Sequence, residues 1–463
     1  MPDTAMPQTT ATPAILSMIG DTPLVRVTRF DTGPCELYLK LENQNPGGSI
    51  KDRIALKMVE AAEADGRLGP GGVVIEATAG NTGLGLALIC AAKGYRLILV
   101  IPDKMAVEKI NHLRALGAEV RITRSDVGKG HPDYYQDIAE RLSKEIPGSF
   151  YVNQFANPVN PRTHEEWTGP EILRDMGGDV DAVVCGVGSG GTMTGLGAFF
   201  AKASPKTEMV IADPAGSIIA DLVNKGTHEE PGSWVVEGVG EDFVPPNCDL
   251  QYAKAAYYVT DAESLNAARE LLRKEGILGG SSSGTLLAGA LKYCRDQTEP
   301  KRVVTLVCDT GNKYLSKMFN DAWMADQGFI EQERHNDLRD LMTRRYDKGQ
   351  VVSVGPEDTL LTAYKRMRIS EVSQLPVMDG DRVVGILDES DLLLHVQKDP
   401  TRFKDKVYTA MVNRLVTVPV TADIKTLTDL FDRNMVAIMV DGDSFLGLLT
   451  RMDLLNYLRR QMG

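Results

Sequence analysis

A chain of 463 residues exceeds the size at which a single hydrophobic core stops growing, so two or three domains are expected. With 43% hydrophobic and 25% charged residues, the composition is that of a globular protein. The formal charge of -12 argues against a general binder of nucleic acid or of anionic membrane, because both would repel it.

Residues 1–12 (MPDTAMPQTTAT) have neither the positive start nor the apolar stretch of a secretory signal, and they read as a disordered tail. No apolar run reaches the ~18 residues of a membrane span, which makes the cytoplasm the expected location. Cys35, Cys90, Cys185, Cys248, Cys294 and Cys308 are scattered without CxxC pairs. They read as buried free thiols, and the equally scattered histidines give no metal-ligand spacing.

From 13 to 325, short apolar runs alternate with helical patterns. Val73–Ile75, Leu97–Ile101, Ala182–Val187, Met209–Ala212 and Val303–Val307 read as strands, and Leu84–Ala92 and Val107–Leu116 as helices. Continuous Val/Ile/Leu strands between helices indicate an α/β class with a parallel sheet covered on both faces. Ligands of such sheets gather at the strand ends.

Four motifs carry candidate chemistry. The first, Asn45-Pro-Gly-Gly-Ser-Ile-Lys51-Asp-Arg53, puts a lysine at a helix start, where the dipole disfavours a cation. A lone lysine there reads as a solvated surface group, but one kept neutral can form a Schiff base with a carbonyl cofactor. The second, Glu76-Ala-Thr78-Ala79-Gly80-Asn81-Thr82-Gly83, opens a helix whose backbone N–H groups suit a carboxylate, or it is a plain capping turn. The third, Gly186-Val-Gly188-Ser189-Gly190-Gly191-Thr192, carries a GxGxxG with Asp213 ending the next strand. That spacing fits a dinucleotide fingerprint, and the hydroxyls of its SGGT continuation fit a lone phosphate monoester equally well. The fourth, Gly276 to Gly284, holds Ser281, Ser282 and Ser283, which are either an ordinary loop or a source of one hydroxyl for a ring nitrogen.

The charged segment 326–336 reads as a linker, and 337–463 contains a repeat. Leu375–Leu393 aligns without a gap on Ala437–Leu455, at an offset of 62. Each copy reads as a strand, an Asp-Gly turn, a strand and a helix, and the apolar faces predict one paired module.

Taken in this order, the four motifs resemble the β-family (fold type II) of pyridoxal-phosphate (PLP) enzymes, the group of cysteine synthase and cystathionine β-synthase. The resemblance covers roughly 15–329. It implies a catalytic core of two three-layer α/β subdomains over 13–325. Lys51 then becomes the Schiff-base and proton-transfer residue. Asn81 bonds the phenolic oxygen, Gly188, Ser189, Gly190, Gly191 and Thr192 cradle the phosphate, and Ser282 faces the pyridine nitrogen. A hydroxyl there leaves that nitrogen neutral, which favours β-elimination over transamination. Thr78, Ala79, Gly80 and Thr82 would grip the substrate carboxylate, and Gln154 would line the same pocket. Asp213 becomes a structural acid, and the dinucleotide reading is set aside.

Three stretches resemble the cystathionine β-synthase branch more than the shorter cysteine synthases. These are Glu237–Pro245, Lys313–Met324 (its core-terminating helix), and the repeat, which is similar to a tandem CBS (Bateman) module with copies at about 337–398 and 407–463. The resemblance places Gly238, Gly240 and Glu241 at the substrate side. It implies condensation of L-serine with L-homocysteine to L-cystathionine, with release of hydrogen sulfide from cysteine as a further activity. A cysteine synthase using O-acetylserine and sulfide is the alternative. A nucleotide-sensing scaffold with an idle core is a reading from a different class, and Lys51 beside a full phosphate loop argues against it.

The first 34 residues contain neither cysteine nor histidine, so the haem of animal members is not expected. Ala79, Phe155 and Glu241 depart from the family pattern and point to a bacterial-type branch. The partners implied are amino-acid substrates, a second copy in a homodimer or higher homo-oligomer, and an adenosine-type effector. Thr450 and Asp453 are the candidate nucleotide residues. In the first copy Asp388 precedes Asp391, and its carboxylate would repel a phosphate. A ligand-free dimerisation module is the other reading of the repeat.

Overall fold

Runs such as Ala182-Val-Val-Cys185 and Arg302-Val-Val-Thr-Leu306 are β-branched and buried on both faces, so they can only be interior strands. The computed structural model describes residues 13–78, 80–103, 107–124, 126–128, 130–330 and 335–460. The expected tail at 1–12 and part of the expected linker lie outside the described residues. The chain divides into two compact units, one through Phe319 and one from Asn320.

The first unit contains ten strands. They are β1 (Leu24–Arg26), β2 (Glu36–Lys40), β3 (Val73–Ala77), β4 (Arg96–Pro102), β5 (Glu119–Thr123), β6 (Ser149–Tyr151), β7 (Ala182–Cys185), β8 (Glu208–Pro214), β9 (Ala253–Val259) and β10 (Arg302–Leu306). They form a six-stranded sheet in the order β1-β2-β10-β7-β8-β9 and a four-stranded sheet in the order β5-β4-β3-β6. Every pairing is parallel except β1 with β2, an antiparallel edge. Separate apolar clusters pack against the two sheets, one around Leu37, Val184, Val210 and Leu287 and another around Ile54, Leu84, Leu99 and Phe150.

Four helices start where the four motifs end: α1 (Lys51–Ala64), α2 (Asn81–Lys93), α3 (Gly191–Ala203) and α4 (Ser281–Arg295). Helix α1 is fixed by a polar group that the sequence did not announce. Arg53, 0% exposed, donates from Nε to Glu42 Oε2 at 2.7 Å and from Nη2 to Glu171 Oε2 at 2.7 Å. Lys40 joins Glu171 at 3.0 Å and Asp175 at 2.8 Å, and Thr22 donates to Glu42 at 2.6 Å. These charges are tolerated in the interior because each is paired and hydrogen-bonded.

Lys313–Met324 is not the single helix expected. Gly311–Tyr314 is a 3-10 turn, and a helix begins only at Asp321, where the Asn320 side chain accepts from Trp323 N at 3.2 Å. The break arises because Lys313 and Tyr314 are drawn inward to buried polar partners, described below.

In the second unit each repeat copy has the expected order. Gln374–Asp379 and Arg382–Asp388 pair antiparallel and lead into the helix Glu389–Val396. Ala437–Asp441 and Ser444–Leu449 pair likewise and lead into Arg451–Arg460. Gly380 and Gly442 sit at φ 59° in the two Asp-Gly turns, a conformation that favours glycine. Met378 of the first copy packs with Ile438 and Phe445 of the second, so the copies share apolar contacts. Among the described residues, no helix is long and apolar enough to cross a membrane. All six cysteines are free.

Candidate active site

The N-termini of α1, α2, α3 and α4 converge on one cavity of about 640 Å³ in the first unit. Lys51, Thr78, Gly80, Asn81, Thr82, Gln154, Gly188, Ser189, Gly190, Thr192, Gly238, Gly240, Glu241 and Ser282 all line it. Gly191 does not. It starts α3, and a Cβ there would stand 1.9 Å from Asn160 Oδ1, so close packing requires glycine at this position. Ala79 lies outside the described residues. Thr450 and Asp453 belong to the second unit.

Lys51 is the first residue of α1, with Ser49 Oγ accepting from its backbone N at 3.2 Å. Burial holds its ammonium below the ordinary lysine range, against the opposing pull of Cys308, Asp309 and Glu42. A lysine that releases its proton easily can attack a carbonyl.

The loop before α3 is shaped for an anion. A Cβ on Gly188 would meet Gly238 O at 2.7 Å, and one on Gly190, at φ 81°, would stand 2.5 Å from the Cys248 Cβ. Asn160 Nδ2 donates to Ser189 Oγ at 2.9 Å, which leaves the Ser189 hydroxyl proton free to point elsewhere. His164 Nε2 lies 3.3 Å from Thr192 Oγ1, and Nδ1 lies 3.0 Å from Thr168 Oγ1. Burial pushes His164 far below its usual pKa, so a neutral imidazole backs the loop. A helix N-terminus with glycine amides and two hydroxyls matches the donor set a phosphate monoester needs. A carbonyl-reactive lysine, a phosphate cradle and the Ser282 hydroxyl in one cavity fit pyridoxal phosphate. Asp213, by contrast, caps the helix Ile219–Lys225 through Ala220 N at 2.9 Å, the structural role expected once the dinucleotide reading was set aside.

On the opposite wall, Thr82 Oγ1 donates to Gln154 Oε1 at 2.6 Å, joining the α2 loop to the segment after β6. Beneath both lies Glu76, which accepts from Ala77 N at 3.1 Å and Gln154 N at 3.4 Å. Burial pushes its carboxyl up to about 8 from 4.5. The folded protein therefore keeps a proton that the unfolded chain releases, and stability declines as pH rises from about 4.5 to about 8. Glu76→Gln should remove that decline, worth roughly 1.4 kcal/mol per pH unit. Urea midpoints of the two proteins compared across this range test it, and parallel pH profiles would refute it.

Several cavity residues carried no sequence signal. Lys109 lines the wall, donates to Glu237 and to Tyr314 OH, and lies over the Tyr314 ring at 4.5 Å. Lys317 holds the other Glu237 oxygen at 2.8 Å. Burial raises the Glu237 carboxyl, but the two ammonium groups outweigh it and hold it below its usual range. Tyr135 and Cys308 also line the wall.

In the second unit Thr450 and Asp453 do meet. Asp453 Oδ2 accepts from Thr450 N at 2.8 Å and Oγ1 at 2.7 Å, and Oδ1 accepts from Thr343 at 2.5 Å. Asp388 and Asp391 form the matching capping box in the first copy.

Comparison with known proteins agrees with this geometry. The family model described as pyridoxal-phosphate dependent enzyme matches residues 15–309, and the CBS domain model matches 338–398 and 406–460. Cystathionine beta-synthase of Apis mellifera is 35% identical, over 97% of this chain and 91% of that protein. The protein of the same name from Dictyostelium discoideum is 34% identical, over 96% and 92%. A solved hydrogen sulfide-producing enzyme from Fusobacterium nucleatum superposes with a TM-score of 0.61 at 40% identity, covering 65% of this chain and 99% of its own.

Proposed function

The chain belongs to the cystathionine β-synthase family of pyridoxal-phosphate dependent enzymes, and on that premise we propose that it joins L-serine to L-homocysteine, forming L-cystathionine and water. The observation that carries the reading is the meeting, in one cavity, of a desolvated lysine, a glycine loop that suits a phosphate and the residues Thr78, Gly80 and Thr82 at the start of α2. When bound, pyridoxal phosphate supplies an electron sink that stabilises negative charge at the substrate Cα. The chain supplies the rest. Lys51 is the point of attachment and the carrier of the Cα proton. Asn81 donates to the phenolic oxygen, and Gly188, Ser189, Gly190 and Thr192 hold the phosphate. Ser282 lines the same cavity and would offer its hydroxyl to the ring nitrogen. Thr78, Gly80, Thr82 and Gln154 orient the substrate carboxylate, and the glycine segment through Gly238 and Gly240 covers the pocket.

The test compares purified enzyme on serine plus homocysteine with O-acetylserine plus sulfide. Faster cystathionine formation is expected, and much faster cysteine formation would overturn the reading in favour of a cysteine synthase. Release of hydrogen sulfide from cysteine is a side activity of the same chemistry, with cysteine in the place of serine and hydrosulfide in the place of hydroxide as the group that leaves Cβ.

Glu241 lines the cavity and would receive the ammonium group of homocysteine, which sulfide lacks. Glu241→Ala should raise the homocysteine KM about tenfold, equivalent to roughly 1.4 kcal/mol, and leave the serine KM alone. An unchanged homocysteine KM would remove Glu241 from substrate selection. The same reading makes the protein a cytoplasmic homodimer or higher homo-oligomer whose second CBS copy, at Thr450 and Asp453, would take an adenosine-type effector.

A further inference from the structure

Lys313 is an unexplained buried cation: it is 5% exposed, and the cavity wall does not include it. Its Nζ donates to Asn81 Oδ1 at 2.8 Å, to Gly48 O at 3.2 Å and to Gly47 O at 3.4 Å. On the far side of the same amide, Asn81 Nδ2 donates to Asp309 Oδ2 at 2.9 Å, and Tyr314 OH donates to that oxygen at 2.9 Å. The charged and titratable groups facing Lys313 are Asp309, Asp52, Lys109 and His112.

An asparagine amide can sit either way round, and its partners decide which. Here a donor-only ammonium faces one end and a carboxylate faces the other, so only one orientation satisfies both. One amide hydrogen goes to Asp309, and the second remains for the cavity that Asn81 lines. The bond from Lys313 also polarises the amide, which strengthens its remaining N–H as a donor. Because Lys313 also bonds the carbonyls of Gly47 and Gly48, it ties this amide to the loop that carries Lys51.

We propose that Lys313 is a positioning residue for the cofactor: through Asn81 it presents a polarised N–H to the phenolic oxygen and so stabilises that oxygen without its proton. The inference rests on the cofactor assignment above and on no choice of substrate.

The test uses the full-length holoenzyme and reads the absorbance of the bound cofactor against pH, together with the pyridoxal-phosphate dissociation constant. Lys313→Met should raise the pH at which the chromophore takes up its proton by about one unit and weaken cofactor binding about tenfold. Lys313→Gln keeps a neutral donor, so it should restore most of the binding but only part of the titration shift. It also carries the test if the methionine variant does not fold. In an Asn81→Ala background, Lys313→Met should produce no further titration shift. A chromophore that titrates as in the parent would overturn the proposal. So would a shift that persists without Asn81, since that would be the through-space effect of the charge. A protein that gains no colour with pyridoxal phosphate would sink the cofactor assignment itself, an outcome distinct from either.

Discussion

Lys51→Ala should lower turnover by roughly 10⁴-fold or more, because one group supplies both the covalent anchor and the proton carrier, and a positioned acid–base group alone contributes ~10²–10⁴. The geometry supports a loss of this size. Lys51 opens α1 at the junction of four helix N-termini, and burial already lowers its proton affinity. Substitution leaves the α3 phosphate loop intact, so the variant should still take up pyridoxal phosphate but without the absorbance of a lysine-linked cofactor. A small soluble amine should then restore a measurable fraction of the rate. Turnover within tenfold of the parent would refute the assignment of Lys51.

Arg53→Met should cost about 3–5 kcal/mol of stability, the scale seen when one partner of a buried ion pair is removed. Glu42 is itself fully buried, and the substitution leaves its carboxylate among apolar neighbours with only Thr22 and Asn45 as donors. Glu171 keeps Lys40 and the backbone N of Asp21, so most of the penalty falls on Glu42. Adding Glu42→Gln to Arg53→Met should therefore recover part of the loss, although two separate destabilising changes would be expected to add. Urea unfolding of the three variants measures this. A single variant within about 1 kcal/mol of the parent would show that the network contributes little.

The parts of the molecule that the sequence revealed are those encoded locally. The four loops were legible because a glycine turn runs directly into a helix start at Lys51, Asn81, Gly191 and Ser281, after a strand end in the first three and after the helix Asp261–Glu275 in the fourth. The repeat was legible because its two copies align without a gap. What stayed hidden depends on distant partners. Asn81 meets Asp309 across 228 positions and Lys313 across 232, and Lys109 meets Glu237 across 128. No periodicity marks such pairs. Lys313 lies in the segment Lys313–Met324, which reads locally as a helix, because nothing local shows that its ammonium turns toward Asn81. Gly191 has a second role that stayed hidden for a related reason. Its missing side chain makes room for Asn160, a residue outside the motif.

The strand order sets a schedule for the growing chain. The four-stranded sheet needs nothing beyond Tyr151, so it can close while synthesis continues. The larger sheet cannot, because β2 pairs with β10 through contacts such as Leu37 with Val303. At ~5–20 residues per second, Glu36–Lys40 waits roughly ten seconds to a minute for its partner to leave the ribosome. During that interval α1 and Lys51 exist without Ser282 or Asp309, and an apolar strand edge stands open. The cofactor site is thus among the last features of the first unit to be completed, and that unit is most exposed to aggregation before it.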